Sequence, residues 1–229
     1  MDFKLYLAIL TICLTVLVAL VLLIRNPRSN VTRSFALLIT SYALWGIAQA
    51  ALYAAPTHAS ASLADQITYV LGIPIAWTFL NFVYHFPFKS NHLNRYILIT
   101  GGVINLFSLY PVFFQPSIIS KIYDQPFTSY SSNLSLSITY FSIYSLGFFT
   151  VFIYAYYVLI QKYMNSVAEN KIIILHVLYS SLIAVIGGSI VNILLLYFGL
   201  FRYQIYGPSF TLIFTITVSY LIFLRPKLR

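Results

Sequence analysis

Four carboxylates, four imidazoles and one thiol are the carboxylate, imidazole and thiol groups that the 229 residues offer for acid–base, metal or nucleophilic chemistry. Asp2, Asp65, Asp124 and Glu169 stand apart, each in a polar link or at the edge of an apolar run, so no carboxylate pair forms. His58 and Asp65 are two ligands on one outer link, fewer than a metal site needs, and neither a metal nor a cofactor is expected. Cys13 sits inside an apolar run as a small filler without a partner for a disulfide. A His-Glu-x-x-His helix, a Gly-x-Ser-x-Gly turn and a phosphate-binding Gly loop are all missing, and the chain reads as a non-enzyme. The same shortage of charge inside apolar runs argues against a proton-coupled carrier, which uses buried carboxylates, and against a retinal pigment, whose last helix carries a lysine.

What remains are uncharged polar and aromatic residues at helical spacing. Ser41, Trp45 and Gln49 recur every four residues, as do Trp77, Asn81 and His85; Gly101 and Asn105 form a third stripe, and Ser181, Gly188 and Asn192 a fourth. Amides in lipid turn toward the bundle interior, where they bond across helix interfaces or line a cavity with aromatic walls. Packing alone accounts for any one of these residues; taken together, Ser41, Trp45, Gln49, Trp77, Asn81, Asn105 and Asn192 are the candidate intramembrane pocket. Pro74, Gly101, Gly102, Gly187 and Gly188 are the candidate points of bending or close packing. Tyr140, Tyr144, Tyr154, Tyr156 and Tyr157 suit interfacial belts and helix contacts.

The elements that position these stripes follow from composition. With 60% hydrophobic and 7% charged residues, against about 25% charged in soluble domains, the chain is an all-α polytopic membrane protein in a single domain, 1–229. Seven runs reach the roughly 20 residues that a hydrocarbon layer of about 30 Å demands: 5–24, 34–55, 67–86, 96–114, 136–160, 172–198 and 207–224. No Asp, Glu, Lys or Arg falls within them. Backbone groups in lipid must pair internally, which makes each run a helix, and the period-two alternation of a membrane barrel is absent.

The net charge of +9 is placed at the ends of these runs and not in an aromatic-interleaved patch, so it speaks for topology and against nucleic acid as a partner. Counting links alternately, one side holds Arg25, Arg28, Arg33, Lys89, Arg95, Lys162, Lys171, Arg225, Lys227 and Arg229; the other holds Lys4, Lys121 and Arg202. Ten basic residues against three place the N-terminus outside and the C-terminus in the cytoplasm. The longest link, 115–133, is then an outer loop able to lid the bundle.

Several short motifs in order are similar to another arrangement: Arg25-Asn26-Pro27, then Asn30, Arg33 and Phe35, Trp45, Phe86-Pro87, and near the end Gly187-Gly188, Asn192, Gly199 and Tyr206-Gly207-Pro208. With these the chain resembles the seven-helix N-terminal membrane input region of bacterial and archaeal sensor histidine kinases and some diguanylate cyclases. The resemblance implies a prokaryotic plasma-membrane location and a sensory role, with the seventh helix feeding a cytoplasmic output. No kinase domain follows Arg229, and His176 lies in the membrane, so kinase activity does not carry over.

The leading expectation is a signal-input module that detects an extracellular or membrane-borne cue, a small or lipophilic ligand, and passes it to a separate or missing cytoplasmic kinase or cyclase; a homodimer is compatible with it. The runner-up is a small-solute transporter, disfavoured because the first, second, fifth and sixth helices lack the hinge prolines of the two-repeat sugar carriers. The third is a structural or assembly subunit of a membrane complex.

Overall fold

The computed structural model describes residues 3–90, 94–114, 138–195, 198 and 201–224. Seven helices run in order: α1 (Phe3–Arg25), α2 (Asn30–Ala54), α3 (His58–His85), α4 (Arg95–Phe114), α5 (Ile138–Met164), α6 (Ala168–Ser189) and α7 (Gly207–Leu224). A π-helical turn at Ile190–Leu194 prolongs α6, and a 3-10 helix at Phe201–Tyr206 leads into α7. No strand occurs among the described residues, and six of the helices are long and apolar enough to cross a membrane. The chain is a multi-pass membrane protein. The expected outer loop 115–133 lies outside the described residues.

Two of the helices, α2 and α3, begin at side-chain caps and not where hydropathy changes. Ser29 caps α2, its hydroxyl accepting from the Thr32 amide at 3.3 Å. Thr57 and Ser60 form a reciprocal capping box that starts α3 at His58, nine residues before the expected start at 67. α5 continues to Met164, past the expected end at 160, and α6 starts at Ala168, before the expected 172. Two expectations are thereby corrected. Asp65 is not in a link or at a helix end but about two turns into α3, and Lys162 is not in a cytoplasmic link but in the last turn of α5. Both side chains are 5% exposed.

Lys162 shows why a charge can be buried there. Its Nζ donates to the carbonyls of Val83 (2.6 Å), Tyr84 (2.9 Å), Phe86 (2.7 Å) and Phe88 (2.6 Å). These are the carbonyls at and just past the end of α3, which the helix itself cannot satisfy and whose partial negative charge a cation complements. The turn they belong to contains the cis peptide bond Phe86–Pro87. Lys162 is thus the polar tie between α3 and α5.

Within the bundle α2 packs against α1 and α3, α5 against α3 and α4, and α7 against α6 and α1. The centre is aromatic. Phe214 of α7 meets Phe35 of α2 at 5.8 Å and Phe79 and Phe82 of α3 at 6.0 Å each, all edge to face. Phe79 stacks on Phe152 of α5 at 5.2 Å. Such pairs contribute about 0.5–1.5 kcal/mol each beyond area burial, and between helices in lipid this close packing takes over the role that water plays in soluble cores. α1 contributes one thin stripe, Ala8, Thr11, Thr15, Ala19 and Leu22, and leaves the rest of its large apolar side chains on the periphery. Inside α3, Pro74 supplies no amide hydrogen, and the Thr78 hydroxyl donates to the Pro74 carbonyl at 2.7 Å.

Candidate functional site

On one side of the Phe214 cluster the helices separate around a cavity of about 770 Å³ of non-atom space, counting the part that opens outward. Five helices wall it. α2 presents Tyr42, Trp45 and Gln49; α3 presents Asp65, Thr68, Tyr69, Gly72 and Ile75; α5 presents Tyr144, Phe148 and Phe152. From α6 and its π turn come Ala184, Val185, Gly188, Ser189, Asn192 and Ile193, and Gln204, Gly207 and Thr211 close the circuit from the 3-10 helix and α7. Within each helix the spacing is three or four residues, a single face, which is why a chain with so few charges can gather its polar groups at one place.

The wall is held in shape by specific bonds. Gln49 Nε2 donates to Asn192 Oδ1 at 3.0 Å, and Asn192 Nδ2 donates to the Gly188 carbonyl at 2.9 Å, tying α2 to the end of α6. Asn192 stands in the π-helical turn, an irregularity that re-aims side chains and recurs at functional sites. Across the cavity the Tyr144 hydroxyl donates to the Tyr69 carbonyl at 3.0 Å, and the two phenol rings meet edge to face at 5.2 Å. Two glycines permit these approaches. A Cβ on Gly72 would run into the Tyr144 hydroxyl, and one on Gly207 would run into the Asn192 amide and the Trp45 ring.

Asp65 is the one carboxylate of the wall among the described residues. It is 5% exposed, and among the described residues no hydrogen-bond donor or cation offsets its burial. Among the described residues none that lines the cavity is a Lys, Arg or His. The surface offered to a guest is therefore mainly aromatic and aliphatic, with three amides (Gln49, Asn192, Gln204), the hydroxyls of Thr68, Ser189 and Thr211, and the acid Asp65 among its described residues. Among the described residues no group of three or more His, Cys, Asp or Glu is placed to hold a metal, and the side chain of His58 lies outside the described ones.

The residues singled out from the sequence divide. Trp45, Gln49 and Asn192 converge on the cavity. Ser41 lies one position off it, donating to the Leu37 carbonyl at 3.0 Å, and Tyr42 takes its place in the wall. Trp77 turns away to α4, where its ring lies beside Gly101 and Gly102. Asn81 is exposed, and neither it nor Trp77 lines the cavity. Asn105 is 4% exposed at the seam with Gly147 of α5, both its amide atoms lacking a partner among the described residues. Pro74 is exposed on α3. Gly187 receives the Phe210 ring, whereas Gly188 has open space before it and faces the cavity.

Asp65, Thr68, Tyr69, Gly72 and Tyr144 were not anticipated as a wall. The signal was present in the Thr57-Ala59-Ser60 neighbourhood: once a cap is read at Thr57, Asp65, Thr68, Tyr69 and Gly72 fall on one face at steps of three, four and seven. Comparison with protein-family models, with curated proteins and with solved structures finds no match to the chain.

Proposed function

We propose that the chain is a membrane-embedded sensory input module: a seven-crossing bundle, N-terminus outside, that receives a small or lipophilic cue in its cavity and passes a change in helix arrangement to a cytoplasmic partner. The observation that carries this reading is the cavity itself, walled by aromatic rings with a few convergent polar groups, the composition that small-molecule sites use. Its walls come from the second halves of α2 and α6 and the first halves of α3, α5 and α7. With α4 counted as a crossing and the basic links on the inside, all of these are the outer half of the bundle.

Occupancy acts by favouring one of two helix packings, and only to the extent that the guest binds them unequally. The input reaches α7 directly, because Gly207 and Thr211 are in the cavity wall while Phe214, one turn further, is the hub of the core. A kinase or cyclase at the cytoplasmic end is the output class implied by the resemblance in the sequence. Affinity purification of the whole chain from native membranes tests this: recovery of a histidine kinase or a cyclase is the expected result, and a chain that never brings down a signalling protein counts against it.

One observation favours a second reading. A carrier that couples to protons or cations uses a buried carboxylate, and Asp65 is such a group, inside a helix and at the cavity. Reconstituted vesicles discriminate, since a sensor gives no uptake of labelled solute above empty vesicles and a carrier does.

A further inference from the structure

We infer that the cavity accepts a small organic cation, an ammonium group on an aromatic or short alkyl body, with the charge against the Asp65 carboxylate and the body against Trp45, Tyr69, Tyr144 and Phe148. The inference deepens the sensory reading and rests on the cavity being a ligand site.

The first argument is the state of Asp65. A carboxylate taken out of water needs a donor or a counter-charge, or its burial is a standing cost. Lys162 has its counterpart in four carbonyls; Asp65 has none among the described residues. Nor can Lys162 serve it, because the eighteen residues between Asp65 and Val83 amount to about 27 Å of helix. An acid with no partner among the described residues, on the wall of an open cavity, is a group that a guest can partner.

The second argument is the rest of the wall. Trp, Tyr and Phe rings offer negative faces that attract ammonium groups, most strongly where water is thin. An indole, two phenols in edge-to-face contact and the Phe148 ring lie in the same wall as Asp65. An anion would find the opposite: among the described residues no lining Lys, Arg or His, and a like charge at Asp65. Ring faces and carboxylate thus select for the same sign of charge.

The test uses the full chain in lipid nanodiscs at neutral pH, with Trp77→Phe as background so that Trp45 is the single indole. Phenethylammonium and its neutral counterpart 2-phenylethanol are titrated against Trp45 fluorescence. The expected result is saturable binding of the ammonium at least about tenfold tighter than the alcohol, with Asp65→Asn abolishing that preference and leaving the alcohol's affinity within about twofold. Equal binding of the two probes by the unsubstituted acid overturns the inference while leaving the cavity a ligand site. No saturable response to either overturns both. Since the comparison of the two probes needs no change at Asp65, it stands even where Asp65→Asn fails to fold.

Discussion

Two buried charges of opposite sign, Asp65 and Lys162, behave differently under substitution because, among the described residues, Lys162 has partners and Asp65 has none. Replacing Lys162 with Met strips the Val83, Phe86 and Phe88 carbonyls of this donor, the Tyr84 carbonyl keeping the Ser90 amide at 2.9 Å, and an orphaned buried acceptor costs about 1–3 kcal/mol. Lys162→Met therefore lowers stability by at least about 2 kcal/mol, seen as a lower unfolding midpoint in detergent, with Lys162→Arg intermediate. Asp65→Asn orphans nothing among the described residues and removes a charge from an apolar wall. Its unfolding midpoint is expected to equal or exceed that of the parent chain, and a fall would show that Asp65 has a structural partner. Neither charge was legible in the sequence as a buried group. Hydropathy marks where a run becomes apolar, whereas a helix starts at its cap and ends where its carbonyls find donors, and Asp65 and Lys162 occupy the margin between the two definitions.

At the scale of elements, periodicity was informative about which residues share a face and silent about what that face meets. Trp45 and Gln49 on α2 and Asn192 after α6 lie on faces turned to the cavity. Trp77 and Asn81 form an equally regular stripe on α3, yet Trp77 lies against Gly101 and Gly102 of α4, and Asn81 is exposed. The choice is made by the neighbours, α3 being packed on α2, α5 and α4 at different heights, and no single-helix pattern contains that information. The π turn at Ile190–Leu194 shows the same limit, since it shifts Asn192 relative to the straight helix that spacing assumes. The closeness of α7 to α6 and α2 rests on Gly207. Gly207→Val is expected to push Asn192 and Trp45 apart, breaking the Gln49–Asn192 bond. Its signature is a shifted Trp45 emission in the Trp77→Phe background with little change in helix content by circular dichroism.

For the whole molecule, the aromatic hub divides the bundle into a half that encloses a cavity and a half that is filled. Phe214 touches Phe35, Phe79 and Phe82, so it couples α7 to α2 and α3 at once. Phe214→Ala is expected to cost about 3 kcal/mol and, in the sensory reading, to uncouple cavity occupancy from the cytoplasmic end while leaving probe binding in place. The charge asymmetry survives the transfer of Lys162 into the bundle: removing it from ten leaves nine basic residues against three. Reporter fusions after Arg229 should accordingly give a fluorescent cytoplasmic protein and inactive alkaline phosphatase. A membrane protein of seven helices was legible from composition and run length; the cavity was legible only in part, because it depends on the gap between faces that each helix shows to others.

The tie made by Lys162 also has a bearing on how the molecule comes together during synthesis. The carbonyls it serves lie 74 to 79 residues earlier in the chain, so the third helix emerges with its terminus incomplete and is finished only when the fifth has been made. Until then the Val83, Phe86 and Phe88 carbonyls lack the donor that the finished bundle gives them. The first three helices are thus not a self-sufficient assembly unit, and a chain released before Lys162 should be a substrate for membrane quality control where one released a few residues after it is not.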